Sequence, residues 1–139
     1  MLAFVDVGRA ALSPTQYRAR AGAICQKSTN AASNALSLFP GWHAPPSAIV
    51  TYLKADLRVH ADEYKALRAL DPPSVFRALH AKMLALEKQA LAQDTAVIAK
   101  INAGADPLKT LKADDKKIRP LDAAMSAAWQ KVDVPDCYD

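Results

Sequence analysis

Three side chains able to hold a metal or move a proton recur every seven residues along one stretch of the chain: His80, Glu87 and Asp94. Seven residues are close to two helical turns, so on a helix the three stand in one row. That row falls between two apolar rows, Met83/Leu86/Ala90 and Leu84/Leu91/Ile98, and therefore faces inward. A second pair, His60 and Glu63, lies on the inward seam of the preceding segment. Helical bundles hold metals with such inward carboxylates and histidines, which makes His60, Glu63, His80 and Glu87 the candidate metal set. The Glu-x-x-His pairs of di-iron proteins are missing, and only the reversed His60-x-x-Glu63 occurs. Haem would need His60 paired with Met83 or Met125, and no cysteine pair for attaching it is present. The competing structural reading makes His60 a hydrogen-bonded core histidine and the acidic row a partly solvated seam. We adopt that reading, and no cofactor is expected.

Catalytic patterns are absent. No serine sits in a G-x-S-x-G elbow or a Ser-x-x-Lys context, and no glycine-rich phosphate loop occurs, so the chain does not read as an enzyme. The better candidate for function is Phe39-Pro40-Gly41-Trp42-His43-Ala44-Pro45-Pro46. Its prolines stiffen a turn carrying Phe39, Trp42 and His43. Aromatics held this way lose little entropy on docking, which suits a protein partner. The alternative is that Phe39 and Trp42 plug the end of a core.

These residues must be positioned by helices. Ser74 to Asn102 reads as one long helix after the breaker Asp71-Pro72-Pro73, with Phe76, Leu79, Met83, Leu86, Ala90 and Val97 as its seam. At 1.5 Å per residue it runs roughly 43 Å, natural in a bundle. A first helix is expected from about Pro14 to Leu38, opened by Ser13 and Gln16 as a capping box. Its inward row of Tyr17, Ala21, Ile24, Ser28, Ala31, Ala35 and Leu38 is rich in small residues, so a neighbouring backbone can approach closely. A second helix spans about Pro46 to Leu70. A fourth begins after the cap Asp106, with Pro120 expected to kink or split it. No alternating β-branched run or hairpin turn argues for a strand. The expectation is an all-α, up-down-up-down four-helix bundle over residues 13–139, preceded by an arm over residues 1–12.

The charge of +4 is mild and spread over the chain. The densest basic patch, Lys109, Lys112, Lys116, Lys117 and Arg119, is interrupted by Asp114 and Asp115 and reads as a solvated helix face, so no nucleic-acid partner is expected. Asp6 and Arg9 interrupt the opening apolar run, which is therefore no complete signal peptide and leaves a removed leader or anchor open. Cys25 and Cys137 match no zinc or redox spacing. Either they pair, implying an extracytoplasmic home, or they are unrelated thiols. In the bundle the tail after the fourth helix spans up to about 20 Å when extended, enough to bring Cys137 back to Cys25.

Tyr17-x-x-x-Ala21-x-x-Ile24-Cys25, Leu70-x-Pro72-Pro73 and a lone Cys137 just past an apolar helix together resemble the small secreted or lipid-anchored four-helix proteins of actinobacteria and related bacteria. The resemblance covers Tyr17 to Cys137 and implies a fold, a disulfide and an extracytoplasmic location, but no activity. The function expected is a non-catalytic module that acts by binding a protein partner, as an accessory subunit of an envelope complex or a peripheral membrane associate.

Overall fold

A computed structural model describes residues 10–138, and the chain punctuation sets its elements. Helix α1 covers Pro14–Leu36, α2 Pro46–Arg68, α3 Arg77–Asn102 and α4 Pro107–Val132, with short 3-10 turns at Ser74–Phe76 and Pro135–Cys137. Ser13 and Gln16 cap α1 reciprocally. The Asp106 carboxylate accepts the Lys109 N–H at 2.8 Å to open α4. Gly104, at φ 102°, ends α3 in a conformation that an L side chain rarely adopts. The described residues contain no strand.

The four helices pack in sequence, α1 on α2, α2 on α3 and α3 on α4, as an up-down-up-down bundle. Two differences from the expected elements have simple causes. The long third segment starts as a 3-10 turn because the carbonyl of Pro73 bonds Phe76 before α3 begins. Helix α4 is not split at Pro120: the proline is exposed, and so is Lys116, whose carbonyl it cannot bond. Residues 1–9 of the expected arm lie outside the described residues. Its inner end is docked, since Leu12 donates its N–H to the Asp71 carbonyl at 3.0 Å and packs on the core.

The core divides into two unequal parts. At one end Tyr17, Leu67, Phe76, Met83, Trp129 and Val132 join all four helices. At the other, Val50, Val97, Ile98 and Ile101 pack with Leu53, Leu57 and Leu111, to which α1 contributes nothing. Helices α1 and α4 meet where the Arg18 guanidinium donates to the Val132 carbonyl at 2.8 Å. Along most of their length they do not pack closely. A disulfide, Cys25–Cys137, fastens the C-terminal turn to α1 instead. Gly22 permits that close approach, since a Cβ there would stand 3.3 Å from an Asp136 carboxylate oxygen and 3.7 Å from Val134. The C-terminal turn thus comes up against α1 at Gly22.

Candidate functional site

Where α1 and α4 do not pack closely, a solvent-open cavity of about 740 Å3 is lined by all four helices and the C-terminal turn. Among the described residues its wall carries Asp56, Glu63, Glu87, Asp94, Asp122 and Asp136, the imidazole of His60, and no lysine or arginine. The contrast with a chain of net charge +4 is sharp. The α1 side is neutral and small, with Cys25, Ser28 and Ala32. These side chains leave the room that a larger row would fill.

The carboxylates stand in two tiers, set by the antiparallel pairing of α2 with α3. Glu63 of α2 stands near enough to Glu87 of α3 for its negative charge to act on the Glu87 carboxyl. Seven residues farther along α3, about 10 Å of helix axis, Asp94 feels the charges of Asp114 first, then of His60, Asp56 and Asp122. On α3, Ala90 and Leu91 line the cavity between Glu87 and Asp94. On α4, Met125 lies between Asp122 and Trp129, and on α2 the His60 imidazole lies between Asp56 and Glu63.

Burial, reinforced by the negative charge of Glu63, pushes the Glu87 carboxyl up from 4.5 to about 8. The Asp94 carboxyl is raised to about 6, first by burial and then by Asp114, with His60 acting in the opposite sense. Asp122 is raised too, chiefly by burial. His60 itself faces Asp56, one turn back on its own helix, at 3.6 Å.

The residues proposed for a metal are only partly brought together. Glu63, Glu87 and His60 share the cavity, but His80 does not line it. The His80 Nδ1 is hydrogen-bonded to the Tyr17 hydroxyl at 2.7 Å, in the closed end of the core. His80, not His60, is therefore the buried core histidine, and burial holds its pKa below the usual value. Among the described residues no three His, Cys, Asp or Glu side chains converge as a metal-ligand set. Asp56, Asp122 and Asp136 escaped the sequence reading. Asp56 had a detectable signal, seven residues before Glu63 on the same helix face, as Asp94 follows Glu87.

The proline-braced connection forms a small aromatic group of its own. Phe39 packs against Trp42 at 4.9 Å and against Tyr52 of α2 at 5.0 Å. Trp42 remains 47 % exposed, beside the exposed Leu36 and Leu38. Phe39 is half-buried between Trp42 and Tyr52, and Trp42 is the more exposed ring. His43 is exposed nearby.

Compared with protein-family profiles, with curated proteins and with solved structures, the chain gives no significant match.

Proposed function

We propose that this protein is a non-catalytic, extracytoplasmic binding module whose side-opening cavity captures a small ligand. The observation that carries this reading is the cavity itself. Its volume lies in the range that proteins devote to small molecules, and it keeps a buried carboxyl, Glu87, without a cationic neighbour among the described residues. The disulfide supports a home in an oxidising compartment, and no helix of the described residues is long and apolar enough to cross a membrane. The resemblance to small secreted bacterial bundles points the same way.

Native mass spectrometry of protein recovered with its disulfide intact tests the reading. The expected result is a bound species, one per chain, that is lost on denaturation. A bare chain whose melting temperature no small molecule raises would remove it.

A second reading, docking to a protein partner in an envelope complex, is favoured by the exposed Leu36, Leu38 and Trp42 at the α1–α2 end. Capture of a defined partner from envelope extracts, weakened by Trp42→Ala with no change in melting temperature, is the outcome that supports it.

A further inference from the structure

We infer that the end of the bundle formed by the α1–α2 and α3–α4 connections docks on the surface of an anionic phospholipid bilayer. Leu36, Leu38, Trp42 and Leu108 enter the headgroup region there, and Lys100, Lys109 and Lys112 meet the lipid phosphates. The inference goes beyond the cavity reading and does not depend on it.

The two connections share one end of the molecule. Val50 near the start of α2 packs in one cluster with Ile101 in the last turn of α3, joined by Leu111 near the start of α4. Five large apolar side chains are exposed among the described residues, and four of them stand at this end: Leu36 at 60 %, Leu38 at 74 %, Trp42 and Leu108. The fifth, Val75, is alone at the opposite end, on a connection with exposed charges of both signs, Arg68, Asp71 and Arg77. Apolar side chains gathered at one place on a surface mark an interaction site, whereas single ones do not.

Charge indicates what covers them. Residues 28–53 supply the end of α1, the first connection and the start of α2, and hold no Asp, Glu, Lys or Arg in a chain of which 23 % is charged. Residues 95–113 add three exposed lysines, Lys100, Lys109 and Lys112, against one acid, Asp106, whose carboxylate caps α4. Lower on α4, Asp114 is buried and Asp115 is paired with Arg119 at 2.6 Å. The cavity acids stand deeper still. Asp94 is about 12 Å of helix axis from the Asn102 end of α3, beyond the Debye length of about 8 Å at physiological ionic strength. A negative surface brought to this end therefore meets lysines first.

An uncharged apolar tip beside lysines complements an anionic bilayer in both respects. Trp42 suits the headgroup level, where an indole keeps one edge polar. Lysine stems lie along apolar surface while their ammonium groups reach the phosphates. Leu38 and Trp42 sit past the end of α1, on the connection itself. A fluid bilayer accepts side chains projecting from connections without a matching pocket, which a protein partner would have to provide.

The test is co-sedimentation of the disulfide-intact chain with vesicles of phosphatidylcholine alone and of phosphatidylcholine and phosphatidylglycerol in equal parts, at physiological ionic strength. The anionic vesicles are expected to bind at least tenfold more tightly than the neutral ones. Trp42 emission should shift to the blue and be quenched by brominated lipid, a signal lost in Trp42→Ala because the remaining Trp129 is buried in the core. Leu38→Ser/Trp42→Ala should weaken binding at least tenfold. Lys109→Gln/Lys112→Gln should also weaken it tenfold or more, at about fivefold per lysine, and flatten its salt dependence. Val75→Ser, at the opposite end, should change nothing. Melting curves of each variant separate lost docking from lost fold. Binding undiminished by both end variants would overturn the location, and equal binding to neutral vesicles would overturn the anionic partner. No binding to either vesicle would overturn the proposal: in favour of a protein partner if the end variants abolish capture of a defined envelope protein, or of a second copy if they abolish dimerisation in the ultracentrifuge.

Discussion

The Tyr17 hydroxyl and the His80 Nδ1 meet at 2.7 Å inside the closed end of the bundle, joining the first turn of α1 to the first turn of α3. Each is the other's polar partner in otherwise apolar surroundings, where Phe76 packs on Tyr17 at 5.6 Å. Either the hydroxyl donates to an unprotonated Nδ1, or it accepts from Nδ1–H, and both arrangements need a hydrogen-bonding group at residue 17. Tyr17→Phe is therefore expected to destabilise the fold by about 1–3 kcal/mol, since it leaves a buried ring nitrogen unpaired. Urea denaturation measures the loss. Replacing His80 by Leu in the Tyr17→Phe background should recover part of it, and strict additivity of the two changes would refute the coupling.

Acid groups in the cavity give the apo fold a distinctive pH dependence. Glu87 faces Glu63 on α2, with His60 and Asp56 of α2, Asp94 of α3, Asp122 of α4 and Asp136 of the C-terminal turn around the same space. Its folded pKa is raised, from 4.5 to about 8, so its contribution is fully present below about 4.5 and is lost as the pH rises towards 8. Asp94, raised to about 6, acts in the same sense over a lower window. His80 acts oppositely, because its lowered pKa makes stability fall as the pH drops below the ordinary histidine range. Melting curves of wild type and Glu87→Gln isolate the first effect. The variant should gain on the wild type between about pH 5 and pH 8, and a constant difference over that interval would contradict the assignment.

Breaking the Cys25–Cys137 bridge should cost nearly 5 kcal/mol in the chain-entropy account, given the 112-residue separation. Denaturation of Cys25→Ser/Cys137→Ser against wild type gives the number. Under non-reducing conditions the intact protein should weigh two hydrogens less than its reduced form, and two titratable thiols in native material would refute the bridge.

Phe39 and Trp42 should part company on mutation. Phe39 is half-buried and packs on both Trp42 and Tyr52, so Phe39→Ala is expected to lower the melting temperature measurably. Trp42→Ala removes a ring already 47 % exposed and should change stability by well under 1 kcal/mol. Equal losses from both would show that the two rings support the bundle as one unit.

Helix positions were readable because Ser13, Pro14, Pro46, Asp106, Pro107 and Gly104 act within a turn of their own position. The α1 and α2 ends came out two residues shorter than expected, in last turns where i+3 bonds such as Leu38 N–H to the Ala35 carbonyl replace the regular ladder. Most inward positions were also readable, as the burial of Tyr17, Ala21 and Met83 attests, but Leu38, expected on the inward row of α1, lies beyond the helix end and is exposed. Which histidine would be sealed in was not read correctly. Both lie on inward seams, and the choice depends on where α1 closes against its neighbours. A clue was present: Tyr17 and His80 occupy the fourth position of two helices that run in the same direction, and so lie at one level. The cavity was not legible, because it lies where α1 and α4 do not pack closely. Small residues such as Ala32 are compatible with a close contact or with a space, and periodicity does not distinguish them.

The bridge has a consequence for how the chain answers to cutting. Every connection between helices lies inside the covalent ring closed by Cys25 and Cys137. The exposed α1–α2 connection, with Pro40, Trp42, His43 and Pro45 open to solvent, is the natural place for a protease to nick. A single nick there opens the ring without dividing the molecule, since Cys25 stays on one piece, Cys137 on the other, and a sulfur–sulfur bond joins them. The two pieces remain tethered at high effective concentration, so an unfolding excursion can be followed by reassembly. Shedding a helix takes two separate events, a nick and a reduction.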